Sequence, residues 1–284
     1  MAANPEALVS TEWVAEHLDD PNVVIAEVDE DASAYTASHI HGAVGFDWKA
    51  DFQDPLRRTF LGKEGFEQLV ASRGIGNDTH VVLYGGNSNW FAAYAYWYFK
   101  VYGHRNVSLV DGGRKKWELE SRPLTGEPTK TEQTGSYTAS EPNLQIRARR
   151  DEILQRYVGA PDGTALVDVR SPAEFAGEVV APPAFPQEAA QVPGHIPGAK
   201  NISWGKAVNA DTGEFLPVDA LRELYSSQSI TADKDVVAYC RIGERSAHSW
   251  FVLHEILGYP QVRNYDGSWT EYGSLVDVPV ERDA

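Results

Sequence analysis

Short apolar runs that end in a carboxylate or a turn recur along this chain, and stretches of helical spacing lie between them. Val23, Val24, Ile25, Ala26 and Val28 form one run closed by Asp29; Leu166 and Val167 form another closed by Asp168. Val81-Val82-Leu83-Tyr84 and Val236-Val237-Ala238-Tyr239 are continuous rather than alternating. Short continuous β-branched runs predict strands buried on both faces, as in parallel sheets. Residues 65–73, 91–102, 219–228 and 246–257 predict helices. Last strands are predicted to reach Val110-Asp111 and Asn264-Tyr265-Asp266. Alternating strands and helices indicate an α/β architecture with a largely parallel sheet, in which ligands bind beyond the carboxyl ends of the strands.

The pattern occurs twice. His39-Ile40-His41-Gly42-Ala43 echoes His195-Ile196-Pro197-Gly198-Ala199. Positions 81–84, Gly103, Val107 and Asp111-Gly112 are each matched 155 residues later, by 236–239, Gly258, Val262 and Asp266-Gly267. A repeat of that length means two copies of a domain. The first copy is placed at residues 7–123, a linker rich in Thr, Ser, Glu, Gly and Pro at 124–148, and the second copy at 149–281. Ten residues separate Asp29 from His39, whereas 27 separate Asp168 from His195. The extra length is a Pro-rich insertion, residues 178–193, which can wall a site or cover surface.

Composition narrows the function. In 284 residues, 42% hydrophobic and 23% charged, there is ample material for two cores. The formal charge of −16 disfavours nucleic acid and anionic membrane as partners. A small anionic substrate therefore needs a local reversal of charge. The single cysteine excludes an internal disulfide. The first ten residues lack a cationic-then-apolar leader, and the apolar run at 90–98 is too short to span a bilayer. The expected location is the cytoplasm.

Cys240 follows the strand at 236–239, and Arg241-Ile242-Gly243-Glu244-Arg245-Ser246 leads from it into a helix. A strand, short loop and helix N-terminus gather backbone N–H groups into an anion nest, predicting a thiol of lowered pKa. Gly243 permits a conformation other residues resist. Arg241 and Arg245 against Glu244 give the loop a net +1, the reversal sought above. These loop residues are the expected substrate cradle, and Cys240 the nucleophile. The bland alternative, a small buried hydrophobe at a strand end, does not call for two adjacent cations. The first copy has Tyr84-Gly85-Gly86-Asn87-Ser88-Asn89-Trp90 there, with neither thiol nor cation, and is expected to be catalytically silent. Asp168 and Arg170 close a strand beside the loop and are expected either to brace it or to form a structural ion pair. His195 and His248 are read as structural, since Ala93 replaces the latter in the first copy.

The two copies, the Gly-Ala turns, Val167-Asp168-Val169-Arg170-Ser171-Pro172 and the loop beginning at Cys240 together resemble a two-domain rhodanese, over nearly the whole chain. The resemblance implies tandem rhodanese-like domains, each a mainly parallel sheet flanked by helices, the first inactive. It implies a ping-pong sulfurtransferase without metal or cofactor. Cys240 takes the outer sulfur of thiosulfate, sulfite leaves, and cyanide or a thiol collects the sulfur from the persulfide. A thioredoxin-like protein thiol is a candidate acceptor. Mercaptopyruvate-using members resemble Cys-Gly-Ser-Gly at the loop and thiosulfate-using members Cys-Arg-x-Gly, so Arg241 favours thiosulfate. Ile242 stands where animal thiosulfate enzymes often carry Lys, and Glu174 where two-domain members often place a substrate-binding Arg. Rival readings are a 3-mercaptopyruvate sulfurtransferase, a cysteine-dependent phosphatase or arsenate reductase, and a sulfur carrier without turnover. The phosphatase class places five residues between Cys and Arg; here four intervene between Cys240 and Arg245.

Overall fold

A computed structural model describes residues 2–130, 136–181 and 189–282. The central part of the Pro-rich insertion, residues 182–188, lies outside them. The chain divides into two compact units: Pro5–Asn143 with Val208–Phe215, and Met1–Asn4 with Leu144–Ala207 and Leu216–Ala284. The first thus includes a short segment from the sequence of the second. There Val208 bridges Phe215, Phe215 N donates to Asp111 at 2.9 Å and Lys116 pairs with Glu214 at 3.3 Å.

Both units are α/β with wholly parallel sheets, flanked by helices. In the first, strands β1 (Leu8–Val9), β2 (Val23–Asp29), β3 (Val44–Asp47), β4 (His80–Tyr84) and β5 (Val107–Val110) lie in the order β1-β5-β4-β2-β3. In the second, β6 (Thr164–Asp168), β7 (Lys200–Asn201), β8 (Asp235–Tyr239) and β9 (Val262–Tyr265) lie in the order β7-β6-β8-β9. A single parallel bridge from Arg147 to Asn264 takes the place that β1 fills beside β5. The strands are buried on both faces, as their continuous apolar runs require: Val236, Val237, Ala238 and Tyr239 are all sealed from solvent. In the first unit the helix that follows the turn at Asn87, Ser88 and Asn89 is apolar all round from Phe91 to Phe99, and all of those residues are buried.

The sheet register corrects one match between the copies. The strand-end residue equivalent to Asp168 is Glu27, not Asp29: Asp168 lies opposite Tyr239 and Glu27 opposite Tyr84. The side chains agree. Tyr84 Oη takes the amide of Ile40 and bonds Glu27, while Tyr239 Oη takes the amide of Ile196. Each buried carboxylate has an arginine, Arg114 for Glu27 at 2.8 Å and Arg170 for Asp168 at 2.6 Å. Burial lifts the Glu27 carboxyl to about 7 against the opposing pull of Tyr84 and Arg114. Asp29, two residues on, receives the Gly86 amide at 2.9 Å.

Candidate active site

Cys240 is the first residue past β8, at the carboxyl edge of its sheet. Its amide donates to Ser268 Oγ at 3.0 Å, and its carbonyl receives the Trp269 amide at 3.0 Å. Arg241 O receives the Thr270 amide at 3.0 Å, so the loop base is clamped to the start of the helix Ser268–Tyr272. Gly243 turns the chain at φ +102° into the helix Glu244–Phe251. A Cβ on Gly243 would stand 2.6 Å from Asp266 Cα, so glycine is demanded by space as well as by φ. Asn264 of β9 locks the turn: its Nδ2 donates to Gly243 O at 2.9 Å, and its Oδ1 receives Ser246 Oγ at 2.6 Å.

The sulfur lies inside this turn. Gly243 N–H points at Sγ from 3.1 Å, Ser246 Oγ lies 3.6 Å away, and the thiol donates to Glu244 Oε2 at 3.4 Å. Burial and the Glu244 carboxylate push the Cys240 thiol up, against the pull of Arg245 and Ser246. The expectation of a lowered pKa is therefore overturned for this state. The nest is present, but the fully buried sulfur faces an anion as well as N–H groups.

The net charge of the loop is also revised. Arg245 forms a two-pronged pair with Glu174, Nη1 to Oε2 and Nη2 to Oε1, both 2.9 Å. Arg241 lies 3.6 Å from Glu244 Oε1. Both arginines are buried, at 4% and 6% exposure. Two arginines face two glutamates, so the expected +1 is cancelled. Glu174 is placed by its own helix start. Ser171 caps the helix Pro172–Ala176, and its amide and hydroxyl both donate to Glu174 Oε2 at 3.0 Å. Burial alone would raise this carboxyl, but Arg245 and the Ser171 amide hold it down at about 2.

Asp168 and Arg170 form a buried pair whose guanidinium also donates to Gly194 O at 2.7 Å and lies 4.8 Å from the Trp269 ring centre. The amide of that Trp269 donates in turn to the Cys240 carbonyl. Ile242 is buried at the loop tip. His195 stacks on Phe175 at 3.6 Å and its Nδ1 meets Phe175 O at 2.9 Å. His39 repeats both contacts with Tyr35, so this is a turn fastener common to the copies. His248 packs edge-on to Trp204 at 5.1 Å. Sequence reasoning missed Asn264 and Ser268, which shape the loop from 24 and 28 residues past the cysteine.

In the first copy the same loop is closed differently. Asn89 occupies the position of Glu244, accepting from Gly85 N at 3.0 Å and donating to Val110 O at 2.6 Å. Asn87, Ser88 and Asn89 are all left-handed, at φ 45°, 54° and 62°. A Cβ on Gly85 would stand 2.3 Å from Val28 O, leaving no room for a cysteine.

The family model for the rhodanese-like domain matches residues 10–120 and again 151–275. The chain belongs to the rhodanese family. Similar proteins span its full length. One from Mycolicibacterium smegmatis, provisionally named a thiosulfate sulfurtransferase, is 57% identical over 98% of this chain and 99% of its own. One from Saccharopolyspora erythraea with the same provisional name is 57% identical over 97% and 96%. A protein of Thermus thermophilus named sulfur carrier protein TtuD is 54% identical over 99% and 98%. Among solved structures, an anaerobic ergothioneine biosynthesis enzyme from Chlorobium limicola superposes with a TM-score of 0.86 at 22% identity. It covers all of this rhodanese and 72% of that chain. At that identity the likeness speaks for the fold alone.

Proposed function

We propose that this rhodanese is a sulfurtransferase that moves sulfane sulfur from thiosulfate to a thiophilic acceptor through a Cys240 persulfide. The observation that carries the reading is the sulfur in its turn, with Gly243 N–H 3.1 Å from Sγ at the carboxyl end of β8. Attack by Sγ on the outer sulfur of thiosulfate breaks the donor S–S bond, and its electron pair leaves on sulfite. The turn then holds a persulfide against the Gly243 N–H. Arg241 favours thiosulfate over 3-mercaptopyruvate as donor. The provisional names of the full-length relatives support the same reading. Cyanide serves as a laboratory acceptor and a small or protein thiol, such as a thioredoxin-like one, as the cellular acceptor. Among the described residues no helix is long and apolar enough to cross a membrane. The cytoplasm is the location that belongs to this proposal.

The carrier name of the Thermus relative favours a second reading, in which the persulfide is handed once to a protein partner. Turnover separates the two. Thiosulfate and mercaptopyruvate, each assayed with cyanide and with a dithiol, should give many equivalents of product for thiosulfate. Mass spectrometry of donor-treated protein should show one added sulfur atom on Cys240. A single equivalent of transferable sulfur would favour the carrier, and hydrolysis of an aryl phosphate faster than thiocyanate formation would overturn both.

A further inference from the structure

Glu244 lies in the loop without an obvious task. It is sealed from solvent, and its Oε2 is 3.4 Å from Cys240 Sγ. Among the described residues no donor hydrogen-bonds its Oε1. Arg241 Nη2 at 3.6 Å and Arg245 Nε at 3.9 Å attract it from beyond hydrogen-bond distance. A sealed carboxylate with one oxygen against a thiol and the other unfilled has room for a proton.

The surrounding groups leave it that role. Arg241 and Arg245 carry only donors and have no acceptor atom to take the thiol proton. Glu174, from the helix Pro172–Ala176, spends both oxygens on Arg245. Asp168 at the end of β6 is paired with Arg170. Asp266, which follows β9, is paired with Arg147 at 2.7 Å. Ser246 donates its hydroxyl to Asn264. Tyr239 is turned to Ile196 N, and His248 faces the Trp204 ring. Charge points the same way. Arg241, Arg245, Glu174 and Glu244 sum to zero around a neutral thiol. Loss of the thiol proton to solvent would leave a net negative charge in a buried site, whereas transfer to Glu244 leaves the sum unchanged.

We propose that Glu244 is a catalytic proton acceptor, taking the thiol proton of Cys240 as Sγ attacks and returning it after the sulfur has been passed on. The inference rests on the sulfurtransferase reading. In the first half-reaction Sγ bonds the sulfane sulfur, the donor S–S bond breaks, its electron pair departs on sulfite, and the proton rests on Glu244. In the second, the acceptor attacks the outer sulfur, the persulfide bond breaks, its pair returns to Sγ, and Glu244 reprotonates the thiolate. With cyanide the sum is thiosulfate plus cyanide giving sulfite plus thiocyanate, with no net proton and no oxidant.

The test is a rapid-mix measurement of the sulfite burst against pH. The native burst should be nearly flat from about pH 6 to pH 9, because the proton moves within the site. Glu244→Gln must lose that proton to water, so its burst should be slower by about 100-fold at low pH and climb about tenfold per pH unit toward the native rate. Glu244→Asp should partly restore flatness. Parallel profiles at a fixed ratio would mean a merely structural role and overturn the inference. A second readout needs no variant. Adding thiosulfate to the native protein should produce the infrared C=O stretch of a protonated carboxyl. A sulfur adduct on Cys240 without that band overturns the role of Glu244 and leaves the sulfurtransferase reading standing. No adduct at all overturns the sulfurtransferase reading itself.

Discussion

At the scale of single residues, the cysteine was legible and its electrostatics were not. Cys240 stands out because the chain has one thiol, placed at a strand end before a glycine-containing turn. Counting charges along the loop gave a net +1, but the partner that cancels Arg245 is Glu174, 71 positions away. No local count contains that pair. Its stability consequence can be measured. The Glu174 carboxyl sits at about 2 in the folded chain against an ordinary 4.5. A depressed carboxyl contributes its stability above the unfolded value and loses it as pH falls through the folded one. The contribution is on the order of 3 kcal/mol at neutral pH, lost between about pH 4.5 and pH 2. Glu174→Gln should unfold at lower denaturant at pH 7, because it leaves Arg245 buried without its carboxylate. Native and variant midpoints should converge in acid. A gap that stays constant from pH 7 to pH 2.5 would mean that the charge of Glu174 adds nothing.

At the scale of elements, the strands and their order of appearance followed from continuous apolar runs, and the observed ends differ from those expected by a few residues. The helix expected at residues 246–257 begins at Glu244 and ends in a wider π turn, Val252–Ile256. Periodicity does not distinguish that turn from ordinary helix. The slip between Asp29 and Glu27 has a plain cause: two carboxylates lie near the end of β2, and only pairing with the tyrosine of the next strand says which is equivalent to Asp168. Asn264 and Ser268 were invisible as site residues because they meet the loop only after β9 lies beside β8. The loop they hold has one position without latitude. Gly243→Ala would press a methyl group toward the Asp266 backbone and hold alanine at φ +102°. It should cost roughly 2–4 kcal/mol in thermal or denaturant unfolding and lower thiocyanate formation by about 100-fold, by moving the N–H that faces Sγ. Unchanged turnover would show that this N–H is not part of the cradle.

At the scale of the whole molecule, the duplication was readable from one constant offset, and so was the missing thiol at the loop of the first copy. The structure adds that Gly85 cannot become a cysteine without striking the Val28 carbonyl, so a second site cannot be restored by one substitution. Net charge bears on the donor in the same way. The chain carries −16, and the arginines beside Cys240 are matched by glutamates rather than left to attract an anion. Approach of thiosulfate, the proposed donor, should then be governed by repulsion from the whole surface, which salt screens over about 10 Å at 0.1 M. The KM for thiosulfate should fall by about two- to threefold as sodium chloride rises from about 10 mM to about 150 mM, with kcat little changed. Mercaptopyruvate, with one negative charge fewer, should show a smaller fall under the same conditions. A KM that rises steeply with salt would mean that local attraction by Arg241 and Arg245 outweighs the field of the molecule, and that their glutamate partners release them when the donor arrives.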